Sequence, residues 1–214
     1  MNFTLRRGST FCVGLLILCF GVVLNTKTGL GVAPINTVPY TVSEVEKISL
    51  GTATMLLYFL FAGAQCLLRH SLGWKIILQV PMSVLIGRIV DLFDDHILNF
   101  QAQGLLDGVF LLCCAIPLTA LGTTLVVQTD FIPAAPDGMV RAFGDALGWD
   151  FGQAKYTFDL IMIALSIGYG MLRAGHIVGI GVGTVVAALL TGRLCRLFSY
   201  LLSPWFARCL PEKE

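Results

Sequence analysis

Four stretches of this chain contain no Asp, Glu, Lys or Arg: Gly8 to Thr26, Ile48 to Leu68, Gly108 to Thr129 and Ala174 to Gly192. Each runs 19 to 22 residues, long enough to cross a bilayer's hydrocarbon layer as a helix. Backbone polar groups at that depth need internal partners, so runs of this kind fold as helices. Two further stretches carry charge: Trp74–Phe93 includes Arg88 and Asp91, and Gln153–Leu172 includes Lys155 and Asp159. Six spans are therefore expected, at about 9–27, 50–69, 74–94, 106–128, 152–172 and 176–198. Only 13% of residues are charged, roughly half the share usual in soluble domains. The fold class is an all-α polytopic transmembrane bundle forming a single membrane domain over residues 1–214.

The first run follows Arg6-Arg7, as the apolar part of a signal peptide would. Val23-Leu24-Asn25-Thr26 offers no small-x-small cleavage site, so it is read as a retained anchor. Lys and Arg favour the cytoplasmic side. With the N-terminus inside, that side receives Arg6, Arg7, Arg69, Lys75, Arg141, Lys155, Arg193, Arg196, Arg208 and Lys213. The other side receives Lys27, Lys47, Arg173 and, at the end of its span, Arg88, beside Asp94, Asp95 and Asp107. Both termini are thus expected in the cytoplasm, with 199–214 as a cytoplasmic tail.

A short passage recurs. Phe20-Gly21, Gly29-Leu30-Gly31-Val32-Ala33-Pro34-Ile35-Asn36, Leu50-Gly51, Leu68-Arg69 and Gly87-Arg88 are followed in the same order by related pieces. These are Leu121-Gly122, Ala134-Ala135-Pro136-Asp137-Gly138, Phe151-Gly152, Leu172-Arg173 and Gly192-Arg193. Repeats at 9–94 and 106–198 would each hold three spans, an odd number, so the second copy would insert with opposite polarity. Inverted repeats of this kind build many transporters around a site near the bilayer midplane.

After its first span each copy carries a segment too apolar for a solvated loop and too long for a turn. Proline at a first helical turn loses no hydrogen bond, so residues 34–46 and 136–147 read as short helices opened by Gly29, Gly31 and Pro34, and by Pro133 and Pro136. Two positions are compatible with them, a surface amphipathic helix or a re-entrant half-helix inside the protein. A half-helix N-terminus favours anionic or strongly polar groups. That places Asn36 and Thr37 in one copy, and Asp137 and Gly138 in the other, on a candidate substrate or ion path; each can also simply cap its helix. Asp159 is an ionisable group within a span, which marks transport paths, and Lys155 one turn earlier can neutralise it.

Gly175, Gly179, Gly183 and Ala187 fall at every fourth position, a spacing that lets helices approach closely within a bundle or a homodimer. Cysteines and histidines lack ligand spacing, so no metal or cofactor is expected. The absence of nucleophile, phosphate-loop and basic-stripe motifs argues against an enzyme and against nucleic-acid binding.

On Gly29-Leu30-Gly31-Val32-Ala33-Pro34, Leu50-Gly51 and Ile86-Gly87-Arg88 the chain resembles the YczE/YyaS/YitT group of bacterial integral membrane proteins. The likeness covers nearly the whole chain and is nearer to the YczE type, since no soluble domain follows the last span. It implies a bacterial inner-membrane location and brings no settled activity. The functional expectation is a small transporter or channel-like permease, with the lipid bilayer as surroundings and an unidentified small polar or ionic substrate. The alternative is an accessory or regulatory membrane protein acting through protein contacts.

Overall fold

A computed structural model describes residues 3–69, 73–129, 132 and 134–209. Its described residues form eight α-helices: α1 (Phe3–Thr26), α2 (Pro34–Glu46), α3 (Leu50–Arg69), α4 (Trp74–Leu92), α5 (Leu105–Gln128), α6 (Ala135–Leu147), α7 (Phe151–Ala174) and α8 (Val182–Cys209). A π-helical turn, Phe93–Ile97, extends α4. Six of the helices are long and apolar enough to cross a membrane; α2 and α6, at 13 residues each, are too short.

Glycine sets the closest crossings. Antiparallel α1 and α5 meet at Gly14, Gly21 and Gly122, where a Cβ on Gly21 would lie 2.6 Å from the Thr119 nitrogen. Antiparallel α3 and α4 meet at Gly51 and Gly87, each backbone lying where the other's Cβ would be. In lipid, where apolar surface gains nothing by leaving water, close backbone approach is what holds helices together. Helix α8 lies on α5, burying Ala187 with Leu112 and Ile116. Its other faces expose Val182, Val185, Leu189 and Leu201, as a lipid-facing helix should.

Two expectations need correction. The last helix begins at Val182 rather than near 176, and it continues through 199–209. Gly175 and Gly179 consequently lie in the preceding connector, with φ of 74° and 70°, a left-handed conformation that ends α7 and cannot continue a helix. The four-residue small face does not exist on α8. Gly183 and Ala187 alone reach it, and the homodimer reading loses the surface it rested on.

The element order, long helix, short helix, long helix, long helix, occurs twice. Short helix α2 packs on α3 and α7, and α6 packs on α7 and α3. The correspondence breaks at the fourth position, since α4 packs mainly on α3 whereas α8 packs mainly on α5.

A pair of half-helices as the candidate functional site

Hydrogen bonds along α2 fix its depth. The Thr37 hydroxyl donates to the Pro34 carbonyl at 2.7 Å and lies 3.2 Å from the carbonyl of Met162. Met162 is the twelfth of the 24 residues of α7. One turn later Thr41 Oγ1 and Ser166 Oγ are 2.6 Å apart. At the far end Glu46 accepts from the Tyr169 hydroxyl at 2.5 Å and from Arg173 at 3.1 and 3.3 Å. Helix α2 therefore starts at the middle of α7 and runs parallel to it up to its last turn.

The course of α6 runs the other way. Gln65 of α3 donates to the Ala135 carbonyl at 3.1 Å, and Arg69, the last residue of α3, pairs with Asp145 at 3.0 Å. Phe143 of α6 packs on Phe158, so α6 descends toward the start of α7 that α2 leaves behind. Both N-termini meet one apolar group. Ala135 and Ile35 pack with Leu57, Phe61 and Met162. The two short helices have buried first turns, pack on the same pair of long helices, and run in opposite directions along α7.

The expected residues divide by what they touch. Pro34 is the first residue of α2 and Pro136 the second of α6, both buried. Gly29 and Gly31 turn the chain into α2 with φ of 66° and 105°. Pro133 lies outside the described residues. Thr37 is occupied by the α2–α7 contact and is a packing residue here. Asn36 is 4% exposed and its side-chain amide makes no hydrogen bond among the described residues. Gly138 is required by packing: a Cβ there would lie 2.9 Å from Gln79 Nε2. Asp137 is half-buried within electrostatic range of Lys155, Arg141 and Asp159. Lys155 and Asp159 form an ion pair.

Several polar residues were not found from the sequence. Gln65 and Gln79 exchange two amide hydrogen bonds at 2.8 and 3.1 Å where α3, α4 and α6 meet, each 2% exposed. Two amides in apolar spans are a legible signal, because each needs a partner in lipid; attention to ionisable groups passed over them. Asn25, 3% exposed, caps the entry to α2 by accepting from the Ala33 N–H at 2.7 Å, and its Nδ2 has no partner. Lys27 pairs with Asp94 at 2.6 Å beside a polar cavity of about 40 Å³ that Tyr40, Ser43 and Glu44 also line. Glu46 sits at the end of α2, where the Tyr169 hydroxyl and then Arg173 hold its carboxyl below the usual range. Among the described residues no three His, Cys, Asp or Glu side chains converge as a metal site would require.

An all-helical bundle with six candidate spans and two short buried helices defines a polytopic membrane protein. Residues 5–200 match the family described as "Family of unknown function (DUF6198)", and the chain belongs to that family. It is also 24% identical over 194 residues to the "Uncharacterized membrane protein YczE" of Bacillus subtilis (strain 168), covering 89% of this chain and 84% of that protein. No solved structure matches the chain.

Proposed function

We propose that this protein is a small transporter of the bacterial inner membrane, with its two halves inserted in opposite senses and both termini in the cytoplasm. The observation that supports the reading is a pair of short helices with buried, proline-opened first turns that run in opposite directions within the bundle. Short helices that start at mid-depth are tolerated only where protein or a wet cavity surrounds them, and their positive ends suit a substrate held midway between the two faces.

Asp159 is the coupling acid in this reading. Asp137 and Asp159 face Lys155 and Arg141, a group that is neutral when all four are ionised, and protonation of Asp159 frees Lys155 for an anionic partner. The Lys155–Asp159 pair belongs to the closed form, and the transport cycle breaks it.

A second reading has its own support. A cavity lined by Phe11, Leu15, Gln79 and Ile86 holds about 10 Å³ and the polar one beside Lys27 about 40 Å³, far below the several hundred Å³ of an ordinary ligand pocket. Cavities this small suit an accessory protein as well as an occluded transporter. Proteoliposomes holding a pH dye, challenged in turn with acetate, chloride, ammonium and neutral amino acids, separate the two. Transport gives saturable, solute-dependent proton movement that Asp159→Asn abolishes while insertion stays normal. If no solute in the panel moves protons or charge above protein-free vesicles, the accessory reading replaces transport.

A further inference from the structure

The entrance to α2 has hydrogen-bond donors left over. Proline at the first position has no N–H, and the Asn36 N–H already donates to the Ala33 carbonyl at 2.8 Å. The Ile35 N–H between them has no acceptor among the described residues. Asn25 reaches across from α1. Its Oδ1 takes the Ala33 N–H at 2.7 Å, which fixes the amide at the helix opening, and its Nδ2 remains without a partner although the residue is 97% buried, being 3% exposed. Asn36, 4% exposed, adds a second side-chain amide that makes no hydrogen bond among the described residues. A buried polar group left unpaired costs about 1–3 kcal/mol, and the Asn25 Nδ2 beside the positive end of this helix is such a group.

We infer that the α2 N-terminus, with the Asn25 and Asn36 amides and the Ile35 N–H, is the binding site for the carboxylate group of a small solute. The inference rests on the transport reading for the purpose of binding and names its substrate class. The available donors call for acceptors carrying negative charge, since the helix end is itself positive. Phosphate is disfavoured because such sites recruit Arg or Lys, and the nearby Lys27 ammonium is already held by Asp94 at 2.6 Å. Two amides and an N–H at separate positions match two carboxylate oxygens better than one spherical ion.

The site is closed in this structure. The segment leading into α2 lies along the connector before α8, with the Val32 N–H donating to the Gly179 carbonyl at 2.9 Å and the Gly183 N–H to the Leu30 carbonyl at 2.8 Å. Parting these two strands of backbone opens the path to Asn25. Gly31 and Gly181 permit the approach: the Gly181 nitrogen sits where a Gly31 side chain would begin.

The test is thermal stability of the full chain in detergent, followed by tryptophan fluorescence during titration with sodium acetate or sodium chloride at constant ionic strength. Acetate should raise the melting temperature saturably, and chloride should not. Asn25→Asp keeps an oxygen for the Ala33 N–H, and Asn36→Asp keeps the side chain's shape. Each should weaken the acetate response by roughly tenfold or more, because a carboxylate replaces a donor. Asn36→Ala is the second variant if Asn25→Asp lowers the unliganded melting temperature. No saturable response in the wild type means the donors hold water, and overturns the inference. A response that survives all the substitutions, or equals that of chloride, overturns it too. Acetate binding without flux removes the transport reading and leaves the site, whereas flux without acetate binding does the reverse.

Discussion

One crossing shows how single residues fix helix geometry. Gly51 and Gly87 let α3 and α4 touch backbone to backbone, and that contact brings Asp91 onto the first turn of α3. There its carboxylate accepts from the Gly51 N–H at 2.7 Å and from the Ser49 hydroxyl at 3.0 Å. In the second half α7 has no such neighbour, because α8 packs on α5, and Asp150 caps its own helix by accepting from the Gly152 N–H at 2.7 Å. Two routes satisfy the same unpaired N–H groups that every helix start leaves. Gly51→Ala should lower stability by about 1–3 kcal/mol through overpacking. Gly63→Ala, on the same helix with open space around it, should be neutral or stabilising by up to ~1 kcal/mol. Melting of both variants in detergent checks the contrast; equal effects would remove the crossing as the cause. From the sequence, Asp91 was visible as a charge in a span. Its partner was not, since capping from a distant helix depends on a contact that spacing does not encode.

Among the elements, all six long helices were legible, and α3, α4, α5 and α7 to within two residues, because length and apolarity suffice to define them. The short helices were legible as helices through Pro34 and Pro136, but their depth was not. Depth is set by side chains that α2 shares with α7, a pairing of residues more than a hundred positions apart. The start of α8 was misread for a different reason. The connector around Gly175 and Gly179 is as apolar as a span, and only its left-handed backbone distinguishes it. The outer end of α2 is tied by Glu46 to Tyr169 and Arg173, and these partners hold its carboxyl below the ordinary range. A depressed folded-state value means the contribution is present above the unfolded value and lost as pH falls through the folded one. Glu46→Gln should therefore lower the melting temperature slightly at neutral pH, in keeping with the small worth of exposed ion pairs. The gap from wild type should close as the pH drops through and below the usual glutamate range. A gap that persists under acid conditions would assign Glu46 a role other than its charge.

For the whole molecule, the orientation of the half-helices makes a prediction about sidedness. Single cysteines at Lys47, beyond the outer end of α2, and at Asp145, near the opposite end of α6, should react with impermeant reagents from opposite sides of the membrane in a cysteine-free background. Labelling from one side alone would sink the opposed insertion of the two halves. The recurring glycine and proline pieces made the double element order readable, while the divergent packing of α4 and α8 left no mark in them. The candidate site was half legible for the same reason: Asn36 and Asp137 fall inside the recurring piece, whereas Asn25, Gln65 and Gln79 lie in helices read only for their length.

The unequal packing of α4 and α8 also gives biosynthesis a direction. Chains enter the membrane N-terminal end first, and the early half carries much of what it needs: Asp91 for α3, and Gln79 for Gln65. The late half does not. Helix α7 bonds to Thr37, Thr41 and Glu46 upstream, and α8 leans on α5, which is clamped to α1 by glycine. The first-made part is the mould, and the last-made part is cast against it.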